Sequence, residues 1–273
     1  MAQLVEHHLA KVRVAGSNPV VRSIRVSSRA AFRFFAALCG VVLVACTQTE
    51  RNDAMVAAAS DTRDAFAEIA ALVQRDAGYD IGFVFGSSGL LREQVLADAP
   101  FDVYVSANTE YVDELIAAGA AVGESRLAFA AGRLALIAAS ETTLPRSIAA
   151  LDGSLRIVIA NPAHAPYGVA AREAMMASDV YDALRSRLVF ADNVADAVRI
   201  VDSGEADVGI VALALVGQRE HLLVDQQLHA PIRQAAILTK RGSANPAAKA
   251  FLAALSSPEG RAILQRYGFT VES

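Results

Sequence analysis

Residues 83–107 read FVFGSSGLLREQVLADAPFDVYVSA, and this stretch decides the fold. A short apolar run meets Gly86-Ser87-Ser88-Gly89, apolar residues follow at helical spacing (Leu90, Leu91, Val95, Leu96), and a second apolar run comes at residues 103–105. Strand, tight turn, helix, strand is the repeating unit of a parallel sheet, whose neighbouring strands need a crossover long enough to hold a helix. The two serines fall where a strand ends and a helix begins. The first backbone N–H groups of a helix have no intrahelical acceptor and the positive end of its dipole points outward, so such a place attracts anions. A serine there also serves simply as a helix cap, and the turn by itself allows both readings.

The same logic repeats upstream. Residues 55–59, MVAAA, end at Ser60-Asp61-Thr62 and lead into a helix over 64–77, with Phe66, Ile69, Ala70, Leu72 and Val73 on one face and Gly78 closing it. Residues 79–85 alternate as a strand. Downstream, Asn108 or Thr109 caps a helix that runs through Ala117. Strands are predicted at 132–139, 155–160, 208–213 and 231–239, and helices at 170–177, 194–202, 246–255 and 258–267, with a turn-rich loop over 161–168. Strands alternating with helices throughout imply an α/β architecture.

The 273 residues can bury a sizeable core, and length alone permits one or two domains. The net charge of −4 hides an asymmetry. Before residue 46 stand Lys11, Arg13, Arg22, Arg25, Arg29 and Arg33 against the single acid Glu6, so the remainder carries −9. That balance argues against a nucleic-acid partner.

The start of the chain reads as an address. Residues 34–45, FFAALCGVVLVA, are uncharged, follow Arg29 and Arg33, and are too short to span a bilayer, yet they suit the apolar core of a secretory signal. Leu43-Val44-Ala45-Cys46 resembles a bacterial lipobox, in which cleavage precedes a cysteine that is then acylated. Lipidation at Cys46 would tether the chain to a membrane surface without spanning it. Cys39 lies in the removed segment, so no disulfide or cysteine metal site is expected. Residues 1–24 resemble peptides obtained when transfer-RNA gene sequence is translated, which puts the expected start near Val26. The expected organisation is a signal segment over 1–45, a lipidated tether over 46–54, one lobe from 55–134 plus 231–273, and a second lobe from 135–230.

Four separated stretches carry a resemblance. AAAS at 57–60, FGSSGLLREQ at 85–94 with FDVYVSA at 101–107, NPAHAPYGVAAREA at 161–174, and DNVADAVRIVDSGEADVGIV at 192–211 together resemble the molybdate-binding proteins of bacterial ABC importers, and RYGF at 266–269 fits as well. The resemblance implies a two-lobed type II periplasmic-binding-protein fold with two hinge crossings and a ligand in the cleft. In that family a tetrahedral dianion, molybdate or tungstate, is held by neutral donors from both lobes, with no resident cofactor or metal. Matched by position, Ser60 and Ser88 would supply hydroxyls and N–H groups from the first lobe, and Tyr167 and Val194 backbone N–H groups from the second. The implied partners are an ABC permease and its ATPase, reached by a monomer. Fixed donors suit a fully ionised oxyanion, whereas phosphate near pH 7 keeps a proton that a site of donors alone leaves unpaired, at about 1–3 kcal/mol.

The chain departs from that family in one place. A tyrosine and then an aspartate usually follow Gly-Ile-Val. Here Gly209-Ile210-Val211 is followed by Ala212, Leu213, Ala214 and Leu215. Tyr167, where the family usually has a small residue, is the candidate to return the lost hydroxyl. Two alternatives stay open. A receptor for sulfate or a small carboxylate would use an arginine among Arg63, Arg92, Arg126, Arg133 and Arg172. A serine hydrolase would need a base from His164, His221 or His229, although Gly86-Ser87-Ser88-Gly89 lacks the G-x-S-x-G elbow.

Overall fold

The strand AMVAAA, which has a neighbour on each side in the first sheet, is buried along nearly its whole length. The structure, a computed structural model, describes residues 52–271. The chain begins with β1 (Ala54–Ala59), a 3-10 turn (Ser60–Thr62), α1 (Arg63–Ala77), β2 (Ile81–Gly86), α2 (Ser88–Leu96), β3 (Val103–Ser106), α3 (Thr109–Ala117) and β4 (Leu127–Gly132). It then passes through β5 (Leu134–Ala138), β6 (Ile157–Ala160), α4 (Pro166–Ala177), α5 (Tyr181–Leu184), β7 (Val189–Ala191), α6 (Val194–Asp202), β8 (Val208–Ala212) and β9 (Leu222–Leu223). It closes with β10 (Ile232–Leu238), α7 (Pro246–Ser256) and α8 (Pro258–Arg266).

Two five-stranded sheets result, in the orders β2-β1-β3-β10-β4 and β7-β6-β8-β5-β9. In the first, β1 is parallel to β2 and β3, while β10 runs antiparallel between β3 and β4. The second repeats the plan: β6 is parallel to β7 and β8, and β5 runs antiparallel between β8 and β9. The chain crosses from the first sheet to the second through the single residue Arg133 and returns ahead of β10. This is the α/β class expected from the alternation of strands and helices, in the two-lobed form that the family resemblance implies.

The first sheet is covered on both faces. One carries Phe66 of α1 edge-on to Phe251 of α7, with ring centroids 5.3 Å apart, and the other carries Leu91, Val95, Val112 and Leu115 from α2 and α3. The second sheet forms its own core around Leu136, Ile159, Ile210 and Met175. Helix ends follow local chemistry. Gly78 stops α1 in the left-handed conformation, φ +73, its N–H bonded to the Gln74 carbonyl. Asn193 caps α6, its Oδ1 accepting from the N–H of Ala195 and of Asp196, each at 3.0 Å. Asn193→Ala is expected to lower stability by about 1 kcal/mol, read as a shifted urea midpoint with unchanged slope.

Several elements differ from the sequence expectation, α5 and β9 among them. The run LAFAAGRLALIA holds two strands in different sheets where one was expected. Helix α4 begins at Pro166, four residues before the expected start, because proline suits the first helical position and Gly168 lets the first turn sit flush on β6. A Cβ at Gly168 would stand 2.1 Å from the Ala160 carbonyl oxygen. The three-residue strand β7 was not anticipated.

Candidate functional site

The parallel strands β1, β2, β6 and β7 each run at their carboxyl ends into a helix or a 3-10 turn. Ligands collect at such ends because every strand-to-helix turn presents unpaired N–H groups there. Ser60 follows β1 and opens the 3-10 turn, Ser88 follows β2 and opens α2, Tyr167 is the second residue of α4, and Val194 is the first of α6. All four line a single small pocket, together with Ala59, Asp61, Gly86, Ser87, Ala107, Ala165 and Pro166. It encloses about 10 Å³, the room one water molecule needs. A recess of about 410 Å³ adjoins it, sharing Ala107 and Pro166 and carrying Glu110 and Glu173 in its wall. Cys46 lies outside the described residues.

The lobes touch across this cavity. The Ser60 Oγ accepts from the Ala195 N–H at 3.3 Å. The Ser87 hydroxyl donates to the His164 carbonyl at 2.6 Å, and the Gly89 N–H donates to the same oxygen at 2.9 Å. Neither serine caps α2 through its side chain, which disposes of the simplest reading of the Gly86–Gly89 turn. Ser88 Oγ accepts from the Ala107 N–H at 3.1 Å, and the Ser88 carbonyl accepts from the Tyr104 hydroxyl at 2.8 Å. These bonds fix the turn from behind, and the Gly89 N–H in the first turn of α2 is already spent on the His164 carbonyl.

His164 does meet a serine, but that serine is Ser87, with Nδ1 2.8 Å from Oγ. Because the Ser87 proton already goes to the His164 carbonyl, the imidazole donates to the serine oxygen. A general base must accept from it, so the arrangement is that of a latch between lobes. None of the arginines considered from sequence lines the cavity. Arg92 pairs with Glu93 and Glu114, Arg126 pairs with Asp113, and Arg63 lies over Phe85. Among the described residues no group of three or more His, Cys, Asp or Glu is placed to hold a metal, and no helix is long and apolar enough to cross a membrane.

Tyr167 is 2% exposed, and its hydroxyl donates to Asp61 Oδ2 at 2.9 Å. Its single proton is therefore spent on Asp61, and in this closed arrangement Tyr167 does not take over the missing phenol's place as a donor to the cavity. Gln234 Nε2 donates to the same carboxylate oxygen, while Asp61 Oδ1 and Gln234 Oε1 have no partner among the described residues. Sequence reasoning missed Asp61 as a site residue. Its signal was an acid directly beside a serine proposed for anion contact. Gln234 had one too, being the lone uncharged polar residue in an apolar return strand, and it is fully buried.

Burial pushes the Asp61 carboxyl up to about 6, against the bonds from Tyr167, from Gln234 and from its own backbone N–H. Burial likewise holds the Tyr167 phenol well above the usual tyrosine range, with the Asp61 charge adding to it, so the phenol stays a donor. A carboxyl raised above its unfolded value of about 3.9 favours the folded form in its neutral state. That contribution is complete below about pH 4 and is lost as pH climbs through about 6, roughly 3 kcal/mol in all.

Comparison with known proteins bears on the same residues. The family of bacterial extracellular solute-binding proteins matches residues 54–270. The chain is 34% identical over 225 residues to a molybdate-binding protein of Rhodobacter capsulatus, a match covering 81% of this chain and 89% of that one. It is 26% identical over 253 residues to a putative ABC transporter substrate-binding lipoprotein of Bacillus subtilis, covering 88% of this chain and 97% of the other. The solved periplasmic molybdate-binding protein of Azotobacter vinelandii superposes with a TM-score of 0.76 at 28% identity, covering 81% of this chain and all of that one.

Proposed function

The chain belongs to the bacterial extracellular solute-binding proteins, and from that premise we propose that it captures molybdate or tungstate between its lobes and delivers the anion to an ABC importer. One observation carries the reading. Helix starts from both lobes, at Ser60, Ser88, Tyr167 and Val194, meet around one cavity that no lysine or arginine enters. Such a donor set suits a small, fully ionised oxyanion and gives a carboxylate ligand no cation to pair with. The names of the similar proteins from Rhodobacter and Azotobacter point to molybdate.

Binding and closure are one event in this reading. The anion replaces water between donors of opposite lobes and stabilises the closed form by its greater affinity for it. The closed surface then meets a permease whose ATPase drives transport, and the receptor acts as a monomer with no resident cofactor. We assign acylation to Cys46, which would hold the receptor at the outer face of a membrane, and the Bacillus relative described as a lipoprotein supports this. Calorimetric titration of the purified chain with molybdate, tungstate, sulfate and phosphate tests the function. One site is expected, with molybdate and tungstate at least about tenfold tighter than the other two, a difference of about 1.4 kcal/mol. Tighter binding of sulfate or phosphate would overturn it.

A further inference from the structure

The cavity wall is not made of donors alone. Asp61 is 1% exposed, lines the cavity, and turns Oδ2 to both Tyr167 and Gln234, while Oδ1 has no partner among the described residues. A buried carboxylate oxygen without a donor is costly, and a dianion beside it adds like-charge repulsion where little water screens it. Among the described residues no cation figures in the surroundings that set the charge of this carboxyl. The groups that face the carboxylate are Tyr167 from α4, Gln234 from β10 and the Asp61 backbone itself. On α6, which packs on the same turn, Asp196 is paired with Arg199 and Asp202 with Arg219. The 3-10 turn Leu213–Leu215, also packed there, carries no ionisable side chain.

We propose that Asp61 contacts the bound anion and takes up one proton from solvent as the cleft closes, so that Oδ1 changes from acceptor to donor. The bookkeeping is simple: the proton leaves water or buffer, an O–H bond forms on Oδ1, and the anion stays a dianion. A neutral carboxyl offers one O–H donor, and toward an anion that bond is among the stronger kinds. Oδ2 keeps the bonds from Tyr167 and Gln234, which assigns the proton to the other oxygen. In the open form the carboxyl meets water and ionises near its ordinary value, so the proton arrives with the ligand. The upward pull of burial on this carboxyl acts in the same direction. Asp61 thereby joins the anion-contacting residues and makes capture sensitive to acidity.

This inference rests on the oxyanion reading, and one experiment separates their failures. Molybdate, which is fully ionised near neutrality, is titrated into the native chain in two buffers of equal pH and different ionisation enthalpy. Burial alone lifts the carboxyl to about 6 and the bound dianion lifts it further, so near pH 7 the expected result is net proton uptake on binding, with affinity weakening as pH rises. Asp61→Asn should bind with no proton exchange and a flat pH profile. Native binding without proton uptake overturns the inference and leaves the function standing. Uptake that persists in Asp61→Asn assigns the proton elsewhere and also overturns it. No molybdate binding at any pH overturns the functional reading instead. The native-chain measurement needs no variant, so misfolding of Asp61→Asn would not blunt the test.

Discussion

Gly89→Val will bind molybdate at least two orders of magnitude more weakly than the native chain while keeping its unliganded stability. Gly89 lies in the first turn of α2, and its N–H is one of the bonds that join the lobes, reaching the His164 carbonyl at 2.9 Å. A Cβ on Gly89 would stand 2.7 Å from that oxygen and 3.1 Å from the His164 Cα. These are main-chain atoms of the opposite lobe, which cannot rotate aside as a flexible side chain would. Valine adds two more carbons to the overlap. Within its own lobe the change is mild, because valine is the better helix former of the two. The clash therefore exists only when the cleft is shut, and the variant loses the closed form selectively. A hundred- to thousandfold loss corresponds to about 3–4 kcal/mol. Calorimetry gives the affinity and thermal melting of the unliganded chain gives the control. Native affinity in Gly89→Val would mean that binding does not require the contact between α2 and His164.

Val194→Pro is expected to weaken anion binding by roughly ten- to hundredfold, about 1.5–3 kcal/mol, the worth of a hydrogen bond to a charged group. Val194 is the first residue of α6, where proline is well tolerated because the missing N–H has no intrahelical acceptor. The preceding Asn193 is already extended, φ −154 and ψ 173, which is the backbone that proline demands of its neighbour. The Asn193 cap acts on Ala195 and Asp196 and so survives the change. The substitution thus deletes one main-chain donor at the cavity and little else. Val194→Ala, which keeps the N–H, should bind within about threefold of native. Equal losses in the two variants would show that the side chain, not the N–H, matters at this position.

The strand-to-helix turns were legible because their signals are local. Ser60 and Ser88 each stand between an apolar run and a helical repeat, and both line the cavity. Tyr167 and Val194 were reached only through the family resemblance, since neither side chain advertises a role played by its backbone. What escaped is what depends on residues far away in sequence. Asp61 is buried by Tyr167 and Gln234, which lie 106 and 173 residues away in sequence, and nothing near Asp61 signals that burial. Ser87 pairs with His164 across 77 residues, a separation at which sequence reasoning could not say which serine, if any, the histidine would meet. The division between β4 and β5 was hidden for a different reason. Both are apolar, and only Gly132-Arg133 separates them, so the change of sheet leaves almost no mark in the pattern.

The position of β10 has a consequence for how the molecule comes into being. It fills the gap between β3 and β4, yet it is the final strand to be synthesised. Until it arrives, the first sheet stays in two unjoined pieces, whereas every strand of the second sheet has already been made. A ribosome or a secretion pore delivering the chain from its amino end therefore releases a molecule whose inserted sheet can mature early, while the sheet of β1 to β4 must wait for β10 to emerge.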